Sequence, residues 1–118
     1  MKIHILDYEN YSAEALGIYK SMGDVEYGND VHKDTEILVI RFTEIRKHHM
    51  DLPCNYKIIG TSTTGLDHID VEYAESKGIK VISLNDVIEK AAIISSTAEH
   101  TMGLIIQSLV LWDDHFHL

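Results

Sequence analysis

The chain has 118 residues, 45% hydrophobic and 25% charged, enough for one globular domain with a single core. Ten Lys and Arg against 19 Asp and Glu leave a net charge of −9, a surface that repels nucleic acid and anionic membranes and excludes both as partners. The single cysteine, Cys54, builds no disulfide framework, MKIHILDYEN reaches charge too early for a secretory signal, and no apolar run is long enough to span a bilayer. A cytoplasmic location is expected.

KIHIL (Lys2 to Leu6) alternates and predicts a first strand ending at Asp7. Ala15, Ile18, Tyr19 and Met22 then recur at helical spacing, and Gly23 stops that helix. DVEYG, from Asp24 to Gly28, is short and polar enough for an edge strand. ILVIRF, from Ile37 to Phe42, is continuous and β-branched, as in a strand buried on both faces. EIRKHHMDL predicts a short helix halted by Pro53, and YKIIGT and IKVISL read as two further buried strands. Between those two strands, IDVEYAESKG predicts a helix with Asp70 as N-cap and Gly78 closing its C-terminus. Alternating strands and helices predict a parallel sheet covered on both faces.

From about Ser95 to Trp112 the chain reads as one long helix, with Ala98, Met102, Ile105, Ile106 and Leu109 as its main apolar face. Leu104, Val110, Leu111 and Trp112 make its end apolar nearly all round. Such a helix expects cover on every side, either from a second copy, giving a homodimer, or from a partner domain.

The strand YKIIGT runs into Gly60-Thr61-Ser62-Thr63-Thr64-Gly65, six small or hydroxylated residues in a row. Small side chains let a ligand approach the backbone, and successive N–H groups form an anion-binding concavity without a formal charge. The hydroxyls of Thr61, Ser62 and Thr63 are further candidate donors. The same composition also suits a plain strand-to-helix turn, and the loop has no lysine. Asp67 and Asp70 read as helix caps and loop pins rather than an acid–base pair, with His68 exposed between them. His48 and His49 are adjacent and point apart on a helix. His115 and His117, beside Asp113 and Asp114, lack a recognised ligand spacing, so no metal site is expected. Cys54 has no histidine near it in sequence and is not read as a nucleophile.

KIIGTSTTGLDHIDVEYAESKGIKVISL, followed by STAEHTMGLII, resembles the N-terminal part of the D-isomer-specific 2-hydroxyacid dehydrogenases. The matching residues are Gly65, Asp67, Ile69, Asp70, Gly78 and Ile79, then Ala98, Glu99, His100 and Thr101. The resemblance implies a flavodoxin-like three-layer sandwich, with a parallel sheet of about five strands and a long C-terminal helix. It implies that residues 1–118 are the substrate domain of an NAD-dependent oxidoreductase acting on a small 2-hydroxy or 2-keto acid. It places the substrate carboxylate on the backbone of Thr63, Thr64 and Gly65, Phe42 and Thr43 across the same cleft, and Thr101 near the dinucleotide. The family's NAD-binding Rossmann domain, with its glycine-rich turn and catalytic Arg, Glu and His, has no counterpart here, so no catalytic residue is assigned and the chain alone is expected to be inactive.

GTSTTGLDHID also resembles the branch acting on erythronate 4-phosphate, where Phe42 departs from that branch's serine. Arg41 reads as a partner in a surface ion pair, and Glu99 as ordering the start of the last helix. An alternative reading is a non-enzymatic dimerising module that keeps the fold. A receiver-type signalling domain is rejected: Asp7 follows the first strand, but no aspartate ends ILVIRF and KVISL runs into Asn85 rather than a lysine.

Overall fold

The computed structural model of the chain describes residues 1–51, 54–87 and 98–112. Five strands, β1 (Lys2–Ile5), β2 (Asp24–Tyr27), β3 (Ile37–Ile40), β4 (Ile58–Thr61) and β5 (Lys80–Ile82), pair in parallel in the order β2-β1-β3-β4-β5. That is the doubly wound, flavodoxin-like order, with β2 as the expected edge and β3 at the centre. Among the described residues four helices cover it: α1 (Ala13–Met22), α2 (Lys47–Asp51), α3 (Val71–Ser76) and α4 (Ala98–Trp112).

The two-residue period of the strands sorts the core. Ile3, Ile5, Ile37, Val39, Ile58 and Ile82 pack against Ala15 and Tyr19 of α1 and Met102 and Ile106 of α4. Leu38, Ile40 and Ile59 face the other way, onto Met50 of α2 and Ala74 of α3. All four residues of β3 are buried, as its unbroken apolar run requires. Gly60 lies on the α4 face, where a Cβ would come within 2.8 Å of Ile106 Cδ1 and 3.3 Å of Met102 Sδ. The missing side chain lets α4 sit directly on β4.

Caps define the helix ends. Ser12 Oγ accepts from Ala15 N–H at 3.1 Å at the start of α1, and Asp70 Oδ1 accepts from Tyr73 N–H at 3.1 Å at the start of α3. Gly78 follows α3 at φ 78°, the left-handed turn that ends a helix at little cost only for glycine. Met102 and Ile106 form the fully buried part of the expected α4 face, while Ile105 and Leu109 are partly buried. Ser95, the predicted start of that helix, lies outside the described residues, as do Pro53 and the His115–His117 stretch.

Two expectations are corrected. His48 and His49 do not point apart: α2 is five residues long and their ring centroids are 3.9 Å apart. His68 is not fully exposed: it is half-buried, with Nε2 3.1 Å from Thr61 Oγ1. His4, the polar residue of the alternating KIHIL, is buried too, and its Nε2–H donates to the Gly28 carbonyl at 2.7 Å. Among the described residues no helix is long and apolar enough to cross a membrane, and no group of three His, Cys, Asp or Glu is placed to hold a metal.

Candidate functional site

Parallel α/β sheets bind ligands beyond the carboxyl ends of their strands, where successive crossovers diverge to opposite faces. Here that edge carries Asp7 after β1, Arg41 to Thr43 after β3, Ser62 to Gly65 after β4 and the start of α4. The sequence-predicted residues Phe42, Thr43, Thr63, Thr64 and Gly65 therefore share one end of the sheet.

The two loops differ in what their amides do. After β3, the N–H groups of Arg41, Phe42 and Thr43 all donate to one oxygen, Asp7 Oδ2, at 3.0, 3.1 and 3.1 Å. The Thr43 hydroxyl adds a donor shared between both carboxylate oxygens, at 2.8 and 2.9 Å. Burial alone would raise the Asp7 pKa, but these donors outweigh it and hold the carboxyl below its ordinary value. The backbone of this loop is thus already engaged, and what it offers outward is the Phe42 ring, 68% exposed, with the Arg41 guanidinium 4.9 Å from its centroid.

After β4, Thr64 and Gly65 are exposed and Thr63 is half-buried. Among the described residues, the N–H groups of Thr63, Thr64 and Gly65 donate to no protein acceptor, whereas the Thr63 carbonyl accepts from Leu84 N–H at 3.0 Å. The hydroxyls expected to help are partly spent inside the loop. Thr61 Oγ1 donates to the Arg41 carbonyl at 3.1 Å and accepts from His68 Nε2–H at 3.1 Å, and it lies 2.8 Å from Thr63 Oγ1, whose single hydrogen serves either Thr61 or the Gly65 carbonyl. The Thr63 hydroxyl reaches the Gly65 carbonyl at 2.9 Å. Among the described residues, Ser62 Oγ and the Tyr11 hydroxyl are buried with no hydrogen-bond partner. Burial, then the charge of Glu99, pushes the Tyr11 pKa far above the usual tyrosine range.

Arg41 and Glu99 correct the expected surface ion pair. Arg41 Nη1 lies 3.5 Å from Glu99 Oε1, with side chains 31% and 9% exposed, so the pair is largely withdrawn from solvent and ties β3 to the first turn of α4. Thr101, the expected dinucleotide contact, is buried in α4 and presents little surface. Asp70 caps α3 as anticipated, while Asp67 contributes its carbonyl to Arg46 Nη2 at 3.0 Å. The residue that sequence reasoning undervalued is Asp7; an acidic residue directly after the first strand of an α/β pattern was the available signal.

The sequence matches the catalytic-domain model of the D-isomer specific 2-hydroxyacid dehydrogenases over residues 6–104. It is 32% identical over 113 residues to a D-3-phosphoglycerate dehydrogenase of Methanocaldococcus jannaschii, covering 88% of this chain and 21% of that protein. It is 30% identical over 87 residues to an erythronate-4-phosphate dehydrogenase of Pseudoalteromonas atlantica, covering 70% and 23%. The chain thus spans about a fifth of the length of these curated relatives. In fold it is similar to the NAD+-bound 3-phosphoglycerate dehydrogenase of Entamoeba histolytica, with a TM-score of 0.59 at 21% identity over 78% of this chain and 37% of that one. On this match the chain belongs to the D-isomer specific 2-hydroxyacid dehydrogenase family.

Proposed function

We infer that the chain serves as the substrate domain of an oxidoreductase acting on the CH–OH group of a small 2-hydroxy acid, and that the Thr63–Gly65 amides hold the acid's carboxylate. The observation that carries this reading is the contrast between the two loops: the Arg41–Thr43 amides are filled by Asp7, while those of Thr63, Thr64 and Gly65 at the same edge donate to no acceptor among the described residues. Successive amides favour an anion by dipole alone, so a carboxylate binds without the full cost of desolvating a lysine. Phosphoglycerate and erythronate, named in the relatives, are hydroxy-acid carboxylates.

The residues present do not fit a dinucleotide. No Gly-x-Gly-x-x-Gly occurs in the chain, β1 is followed two residues on by Asp7, whose charge opposes a pyrophosphate, and Thr101 is buried. A cytoplasmic setting and self-association through α4 accompany the reading, the latter supported by the half-exposed Leu104 and Val110 and checked by light scattering.

The test is a titration of the 15N-labelled chain with pyruvate and glyoxylate. The amides of Thr63, Thr64 and Gly65 shift and saturate at concentrations on the order of 1–10 mM, and Thr64→Pro, which removes one donor, weakens the response. Unmoved amides in this loop at tens of millimolar (~50 mM) rule the reading out.

A further inference from the structure

We propose that Asp7 is a built-in anion that occupies a binding nest at the β1/β3 crevice and sets the conformation of the Arg41–Thr43 segment. Three consecutive amides converge on one carboxylate oxygen at 3.0–3.1 Å, and the Thr43 hydroxyl reaches both oxygens. Donor and acceptor stand 34 to 36 residues apart, so this is a tertiary contact and not the turn chemistry an aspartate performs on its own neighbours. Asp7 itself adopts the left-handed backbone, φ 58° and ψ 38°, and is the only non-glycine at positive φ among the described residues. A conformation that L-residues avoid is kept because it aims the carboxylate at the β3 end.

The location gives the arrangement its meaning. β1 and β3 are sheet neighbours, and in this strand order their carboxyl ends flank the crevice where doubly wound sheets hold ligands. Here the chain fills the nest with its own carboxylate. The Arg41 guanidinium is paired with Glu99, and the amide dipoles and one hydroxyl stabilise the Asp7 charge. Asp7 is a positioning residue in this scheme. By claiming the amides after β3 it turns Phe42 outward and leaves an incoming carboxylate only the loop after β4. That last consequence rests on the proposed carboxylate reading, whereas the nest itself does not.

The experiment uses Asp7→Gly in the full chain, because glycine keeps the left-handed backbone and empties the nest. Sodium formate is the probe, with sodium chloride at equal ionic strength as the control. Formate raises the thermal midpoint of Asp7→Gly by more than that of the wild type, and it shifts the amides of residues 41–43 in the variant but not in the wild type. With a Kd on the order of 10 mM, 100 mM formate multiplies the folded-to-unfolded ratio of the variant about tenfold. Asp7→Asn, which also tolerates the left-handed turn but keeps the nest sterically filled, loses stability and gains nothing from formate. Should Asp7→Gly be unfolded in buffer, the circular dichroism signal recovered on adding formate is the readout. No formate effect on Asp7→Gly, or an equal effect of chloride or in the wild type, overturns the proposal. Because pyruvate binding is read at residues 63–65 and formate rescue at residues 41–43, either inference fails without the other.

Discussion

Gly60→Ala offers the sharpest check on how α4 is held. The added methyl would come within 2.8 Å of Ile106 Cδ1 and 3.3 Å of Met102 Sδ, both on fully buried side chains. Either atom ends a flexible side chain, but neither side chain has solvent to swing into, so the helix must lift or the rotamers must strain. Overpacking of this kind costs about 1–3 kcal/mol. Replacing glycine in a strand returns roughly 0.5–1 kcal/mol of backbone entropy, which leaves a net loss of about 1–2 kcal/mol. For a domain of this size that lowers Tm by roughly 5–10 °C.

The assay is thermal and urea unfolding followed by circular dichroism. The control is Gly60→Ala combined with Ile106→Val, which removes the clashing Cδ1. Ile106→Val alone costs about 0.5–1.5 kcal/mol, yet the double variant recovers about 1 kcal/mol relative to the sum of the singles, as expected for groups in direct contact. A neutral Gly60→Ala, or strict additivity in the double variant, refutes the reasoning that the absent side chain is what seats α4.

The other glycines separate conformation from space. Gly78→Ala, at φ 78°, loses about 1 kcal/mol by urea unfolding, while Gly65→Ala, with open space and no positive φ, stays within about 0.5 kcal/mol of the wild type. In acid, the Asp7 and Glu36 carboxyls sit below their ordinary values of 3.8 and 4.5; burial alone would raise both, but the N–H groups on Asp7 and the Lys2 N–H and Lys57 ammonium on Glu36 outweigh it. Depressed carboxyls stabilise the fold above their unfolded pKa, so urea midpoints fall as pH drops below about 4.5, and a midpoint that holds or rises down to pH ~3 contradicts this. His49, lowered from 6.5 by burial and by His48, adds a shallow loss that begins below pH 6.5 and is absent in His49→Gln. In alkali, burial raises the Tyr11, Tyr19 and Tyr56 hydroxyls, Tyr56 to about 12, so stability present below pH ~10 is lost above it and these tyrosines ionise late by absorbance at 295 nm. Glu99→Gln costs about 1–2 kcal/mol, because Arg41 is half-withdrawn from water and keeps only part of its hydration to fall back on.

Strands and helices were legible in this chain because burial imposes local periods. ILVI and KIIGT are too apolar to lie anywhere but in a covered sheet, and Asp70 and Gly78 carry cap chemistry that acts within a few residues. The TSTTG loop was legible for the same reason: small residues after a buried strand leave amides exposed, whatever the tertiary surroundings. The stacking of His48 and His49 escaped because a five-residue helix does not hold side chains to the directions of a long one.

Tertiary structure alone decided that the amides after β3 are occupied. Nothing in the sequence around Phe42 and Thr43 tells that Asp7, more than thirty residues away, fills that nest, because the contact depends on β1 and β3 being neighbours in the sheet. Nor does RFT reveal that Arg41 pairs with Glu99 across 58 residues of chain, or GTSTTG that the hydroxyls of Thr61 and Thr63 turn inward. Propensity and pattern act within a turn or two of chain, so they determined the elements. Hydrogen bonds between the ends of different strands depend on topology, and they determined that Asp7 occupies the amides of the loop after β3.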